Sequence, residues 1–226
     1  MSILFVLTSH SQFGDTGRRT GLWLEEFLAP YYRFIDEGFA VCLASPKGGP
    51  VPVDALSVEA LKDSPLYQRY VADGVLKARL EGTAVLASIV ESQVSALIYP
   101  GGHGPLWDLR ENAHSVALIE RAVATGKPVA TLCHAGCALL EARKGNGQPL
   151  VQGVQVTAFS DSEEAAVGLE KDVPYLVERE LKALGALYAK AGDWEHHVVV
   201  SGLLVTGQNP ASSVGVADAV IELLKG

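Results

Sequence analysis

Short, wholly apolar runs alternate with stretches of helical pattern from one end of this 226-residue chain to the other. A strand buried on both faces loses the in/out alternation of a half-buried one. Continuous apolar runs therefore point to a mostly parallel sheet with helices on both sides. Residues 3–8, 39–44, 96–99, 128–132 and 155–159 are such runs and are predicted strands; 198–200 and 203–205, joined across Ser201-Gly202, read as a tight hairpin. Helical pattern fills 21–37, closed by Gly38, and 115–125, closed by Gly126, both glycines standing where a helix ends in left-handed backbone. Pro30 is expected to kink or split the first helix, because an interior proline removes a donor and crowds the preceding turn. Residues 46–63 read as loop, 66–89 as mostly helix, and Asn209-Pro210 as the cap and first residue of a last helix reaching Leu224. No linker or low-complexity tract interrupts the series, so the expectation is one α/β domain over residues 1–226.

Hydrophobic residues make up 48% of the chain, enough for a sizeable core. The net charge of −8 leaves no basic face for nucleic acid or an anionic membrane, and favours a small-molecule partner. No apolar run approaches the ~18 residues of a membrane span, and Met1 is followed directly by a strand pattern, so a cytoplasmic location is expected. Three cysteines, Cys42, Cys133 and Cys137, cannot all pair and do not resemble a secreted disulfide framework.

The chemistry concentrates at Pro128-Val-Ala-Thr-Leu-Cys133-His134-Ala-Gly136, where an apolar run stops on a cysteine with a histidine immediately after it. A parallel strand that turns at once into a helix lifts the turn residue out of the sheet edge, and the helix N-terminus favours thiolate there. Cys133 is thus a candidate nucleophile with a lowered pKa. Cys137, four residues on, is expected to pack one helical turn behind it as a structural residue, or to resolve its oxidised form. In Pro100-Gly101-Gly102-His103-Gly104, glycines let backbone N–H groups crowd a small site after a strand. His10 and His103 follow strands, where open α/β sheets place their ligands, and both are expected to line the pocket. His196 and His197 are adjacent, point to opposite faces of a strand, and have no cysteine set nearby; no required metal is expected.

Several ordered segments carry a resemblance: Gly14-Asp-Thr-Gly-Arg-Arg-Thr-Gly-Leu-Trp-Leu-Glu-Glu26, Ala44-Ser-Pro-Lys-Gly-Gly49, Pro100-Gly-Gly-His-Gly104 with Trp107-Asp108, Cys133-His134, Thr157-Ala-Phe-Ser-Asp-Ser-Glu-Glu164, and Thr206-Gly-Gln-Asn-Pro-Ala211. With them the chain resembles the DJ-1/PfpI superfamily, which is class I glutamine-amidotransferase-like, and within it the Hsp31-like, glutathione-independent glyoxalase branch. The resemblance implies a flavodoxin-like sandwich with a nucleophile elbow, a homodimer, and no cofactor. It implies Cys133 as nucleophile, His134 as its base, Glu26 as the helix carboxylate facing the thiol, and Glu164 as the acidic third member of a triad, with Glu163 and Asp161 as rivals. Gly101, Gly102, His103 and Trp107 are the implied substrate and oxyanion residues, with the His134 N–H as a further donor. After Cys133-His134 the group commonly has Gly-Pro; here Ala135-Gly136 follows, putting a methyl group where the elbow is tight.

The activity so implied converts methylglyoxal or glyoxal to lactate or glycolate through a cysteine hemithioacetal. The same nucleophile leaves amide hydrolysis or deglycation open. A redox-sensing or chaperone-like stress protein is the reading from another class.

Overall fold

The computed structural model describes residues 1–226. The strands are β1 (Ser2–Val6), β2 (Ala40–Ser45), β3 (Ala84–Val85), β4 (Ala96–Tyr99), β5 (Val129–Leu132), β6 (Gln155–Val156), β7 (Leu187–Tyr188), β8 (Val198–Ser201) and β9 (Leu204–Gly207). Seven of them form one sheet in the order β3-β2-β1-β4-β5-β9-β8, parallel throughout except for the β8–β9 hairpin at one edge. β6 and β7 pair separately. The helices are α1 (Leu24–Asp36), α2 (Ala55–Leu61), α3 (Pro65–Ala72), α4 (Gly74–Glu81), α5 (Pro105–Asp108), α6 (Ala113–Ala124), α7 (Asp161–Ala166), α8 (Val177–Ala183) and α9 (Ser213–Lys225).

Alternate residues of the central strands feed two separate cores, as the two-residue side-chain period demands. Ile3 and Phe5 of β1 pack under α1 and α9, while Leu4 and Val6 pack with α6 on the other face. The alternation of apolar runs and helices therefore has its expected cause, a mostly parallel α/β sandwich.

Pro30 does not split α1, which is continuous from Leu24 to Asp36. Its Phe27, Tyr31 and Phe34 rings meet Phe5 edge-on at centroid distances of 5.4, 6.3 and 6.0 Å, and that packing bridges the missing hydrogen bond. Within residues 46–63 the structure adds α2, capped by Asp54, whose side chain accepts from Leu56 N–H. Residues 66–89 divide at Asp73, which caps α4, and the chain then extends into β3. Asn209 does not cap the last helix: α9 begins at Ser213, after a short 3-10 turn, and the Asn209 amide is used elsewhere.

The strand order reverses at β1, with β2 on one side and β4 on the other. Open α/β sheets hold ligands in the crevice beyond the strand ends at such a point. The carboxyl ends of β4 and β5 and the start of α1 all meet there.

Candidate active site

β5 ends at Leu132 and the backbone turns at Cys133, one of two non-glycine residues with positive φ, at 55°. Left-handed backbone on a cysteine costs of order 1 kcal/mol or more and is retained where the surroundings over-determine it. Here the Cys133 carbonyl is bound by the Phe159 N–H at 3.3 Å, and residues Cys133–Leu139 are all buried. The segment is a 3-10 helix rather than the expected α-helix. With three residues per turn, positions four apart face different ways. Cys137 accordingly leaves the nucleophile's side, joins the opposite core, and donates its thiol to the Pro105 carbonyl at 3.3 Å. The Ala135 methyl also enters that core instead of the pocket, and Gly136 is required because a Cβ there would lie 2.8 Å from the Ala158 Cβ.

Cys133 Sγ is 3.2 Å from His134 Nδ1, and His134 Nε2 is 2.6 Å from Glu164 Oε2. The two contacts fix one tautomer: Nε2–H donates to the carboxylate and Nδ1 is left to accept the thiol proton. Burial alone would raise the Glu164 carboxyl, but the facing His134 and His103 outweigh it and hold Glu164 well below the usual carboxylate range. Glu164 reaches them because Ser160 and Glu163 form a capping box that fixes the first turn of α7. Its rivals are spent. Glu163 accepts from Ser160 N–H, Trp194 N–H and the Asn209 amide, and Asp161 pairs with Arg179 at 2.7 Å.

Glu26 comes from the first turn of α1 and is fully buried. Its Oε2 accepts the Gly101 N–H at 2.9 Å, while Oε1 has no partner beyond the neighbouring thiol. Burial pushes its carboxyl up to about 8, with hydrogen bonds to Cys133 and Gly101 pulling the other way. The Cys133 thiol is itself pushed up, by burial and then by Glu26, while the His134 N–H lowers it. The lowered thiol expected from a helix N-terminus is therefore not what these surroundings produce. Glu25, one position earlier, is half-buried and takes no part in the contact.

The Gly-Gly turn supplies room rather than two oxyanion donors. A Cβ on Gly101 would lie 2.5 Å from Glu26 Oε2 and 2.6 Å from the Leu132 carbonyl, and its N–H is already given to Glu26. Gly102, at φ 90°, would place a Cβ 2.4 Å from the Gly21 carbonyl; its N–H has no protein partner and it lines the hollow over Cys133. His103 lines the same hollow, gives its Nε2 to Glu164 Oε1 at 2.9 Å, and is pushed down to about 4 by burial and then by His134.

Trp107 does not reach the nucleophile. It stacks on His10 with centroids 5.0 Å apart, and that histidine bonds the Gln12 carbonyl and stays outside the hollow. The hollow, about 60 Å³, is closed by Trp23, Phe159, Val167 and Trp194, none of which the sequence singled out. Trp194 is the second residue with positive φ, at 65°, held there by Glu163. The Gly192-Asp193 turn beside it was the available signal.

One cluster could hold a metal ion: His103, His134 and Glu164 offer ligand atoms within 4.8 Å of one another. The nitrogen–oxygen separations of 2.6 and 2.9 Å are those of N–H···O pairs. An ion bound at ~2.0–2.2 Å would have to displace both protons and thereby the base. His196 and His197 form no such group. No helix is long and apolar enough to cross a membrane.

A buried cysteine at a strand-to-turn elbow thus stands between a histidine–glutamate pair and a buried carboxyl on a flavodoxin-like sandwich. The chain belongs to the DJ-1/PfpI family, whose model matches residues 21–223. It falls with the Hsp31 and glyoxalase III branch: it is 29% identical to the glutathione-independent glyoxalase HSP31 of Saccharomyces cerevisiae, over 99% of this chain and 98% of that one. Among solved structures, the Rapid Encystment Protein 24 KDa of Francisella tularensis matches with TM-score 0.94 at 33% identity, covering 99% of this chain and 98% of that chain. Glyoxalase III of Candida albicans matches with TM-score 0.87 at 25% identity, covering 99% and 97% respectively.

Proposed function

We propose that this chain is a glutathione-independent glyoxalase that converts methylglyoxal to lactate, and glyoxal to glycolate, on Cys133. The observation that carries the reading is the line of contacts from Cys133 Sγ through His134 to Glu164, with Glu26 against the same thiol. His134 Nδ1 takes the thiol proton as sulfur attacks the aldehyde carbon, and Glu164 stabilises the imidazolium so formed. The hemithioacetal oxygen meets the free Gly102 N–H. Removal of the carbon-bound proton gives an enediol, and its return to the adjacent carbon gives a thioester of lactate; water then hydrolyses the thioester and restores the thiol. Glu26, at about 8, lies close enough to neutrality to serve as acid or base in that transfer. The enzyme supplies its own thiol, so none is consumed.

The test is purified protein with methylglyoxal and no added thiol, in deuterated water. Stoichiometric lactate with deuterium on C2 supports the enediol route. Lactate with fully retained hydrogen overturns exchange through the enediol in favour of a hydride shift or a transfer shielded from solvent. Absence of lactate overturns the reading and leaves hydrolysis, deglycation or redox sensing by Cys133.

A further inference from the structure

A larger hollow lies directly beside the one over Cys133. Trp23, His103 and Val167 line both, and the outer space is about 370 Å³ against about 60 Å³ for the inner. The inner hollow suits a two-carbon dicarbonyl head; the outer is several times what methylglyoxal needs. Arg18 and Arg19 both border the outer hollow, and Arg19 also borders a separate one lined by Ser9, Ser11, Pro50, Val51 and Pro52.

Their placement is built rather than incidental. Residues 12–19 form a small hairpin in which Gln12 bridges Arg19, Phe13 N–H bonds the Arg18 carbonyl at 2.9 Å and Thr20 N–H bonds Ser11 at 3.2 Å. The Arg18 guanidinium lies over the Phe13 ring at 4.9 Å, and the same ring meets His103 edge-on at 5.0 Å. The cation is thus mounted on the aromatic that supports the Glu164–His134 relay. Arg18 has one loose carboxylate neighbour, Asp172 at 3.9 Å, and Arg19 has none. Asp54, the one acid on the wall, is occupied by Thr20 Oγ1 at 3.1 Å and Leu56 N–H at 2.9 Å.

We propose that the outer hollow binds the anionic tail of a 2-oxoaldehyde longer than methylglyoxal, with Arg18 and Arg19 holding a carboxylate or phosphate while the dicarbonyl head sits at Cys133. The proposal rests on the glyoxalase reading of the inner hollow. A planar, always-charged guanidinium pair with spare donors is suited to either oxyanion.

The test compares 4,5-dioxopentanoate with its methyl ester, which lacks the tail charge and adds one methyl group. The wild type should prefer the acid by about tenfold in kcat/KM, and Arg18→Gln with Arg19→Gln should erase that ratio, while Arg19→Lys keeps the charge but loses the fork and should retain only part of it. Continued turnover of the ester reports that the variants fold. A phosphate-tailed 2-oxoaldehyde measured alongside distinguishes the two anions. Equal rates for acid and ester, or a preference that survives both substitutions, overturn the proposal. If no 2-oxoaldehyde is turned over, the catalytic reading has failed, and the tail site is judged by binding. Levulinate should then slow alkylation of Cys133 by iodoacetamide more than methyl levulinate does, and equal protection overturns the site.

Discussion

His103 gives its Nε2 to Glu164 Oε1 at 2.9 Å, the carboxylate oxygen that His134 leaves free. Both oxygens of Glu164 are therefore committed, and the two imidazoles lie with ring centroids 4.0 Å apart. Glu164→Gln cannot accept from both N–H groups, so one ring must turn or change tautomer. Methylglyoxal kcat should fall about 100-fold or more. His103→Gln, which leaves the His134–Glu164 contact in place, should cost about tenfold. A larger loss on His103→Gln than on Glu164→Gln, in steady-state kinetics, would contradict this order.

Glu26 couples chemistry to stability. Its carboxyl is held at about 8 in the folded protein against an ordinary value of 4.5, so between those values the folded state keeps a proton that the unfolded state has lost. Stability must therefore fall as pH rises through that window, by an amount on the order of 4 kcal/mol at its upper end. Glu26→Gln removes the titration. The variant should gain on the wild type, in urea midpoints, steadily from pH ~4.5 to ~8, while its kcat drops ~100-fold. A stability difference that does not change with pH would mean that Glu26 is ionised at rest.

Cys137→Ser should keep most of the activity, because its thiol points into the core opposite the nucleophile and a hydroxyl can also donate to the Pro105 carbonyl. The measurement is methylglyoxal turnover after peroxide challenge and thiol repair. Loss of recovery in Cys137→Ser would give this residue a resolving role that its side of the turn does not allow.

Much of this was legible in the sequence because it depends on local pattern. The runs that became β1, β4 and β5 are buried on both faces and read as continuous apolar stretches, whereas β2 leaves Ala40 and Cys42 exposed on one face. Cys133 and His134 could be picked out because they sit at a strand end that the pattern marks, whereas Glu26 came from the family resemblance. The choice of Glu164 over Glu163 was not decided by pattern, since both lie in one acidic turn. What separates them is tertiary: Trp194 and Asn209, 31 and 46 residues away, engage Glu163. The 3-10 turn after Cys133 was equally hidden: no residue in Cys133–Leu139 forbids an α-helix, and the contact of Gly136 with Ala158 is tertiary. Trp107 was misplaced because its neighbour Asp108 draws α5 toward Thr8 and Ser9, with bonds of 2.8 and 2.7 Å, away from the nucleophile.

The claim on which the rest depends is that Cys133 forms a covalent intermediate during turnover. Rapid acid quench of the enzyme under excess methylglyoxal, followed by intact-mass and peptide mapping, tests it directly. The account predicts an adduct of one substrate mass on Cys133 that vanishes when methylglyoxal is exhausted, and neither adduct nor lactate in Cys133→Ser at unchanged thermal stability. Lactate formed by Cys133→Ser, or an adduct that maps to another residue and rises and falls with turnover, would contradict it.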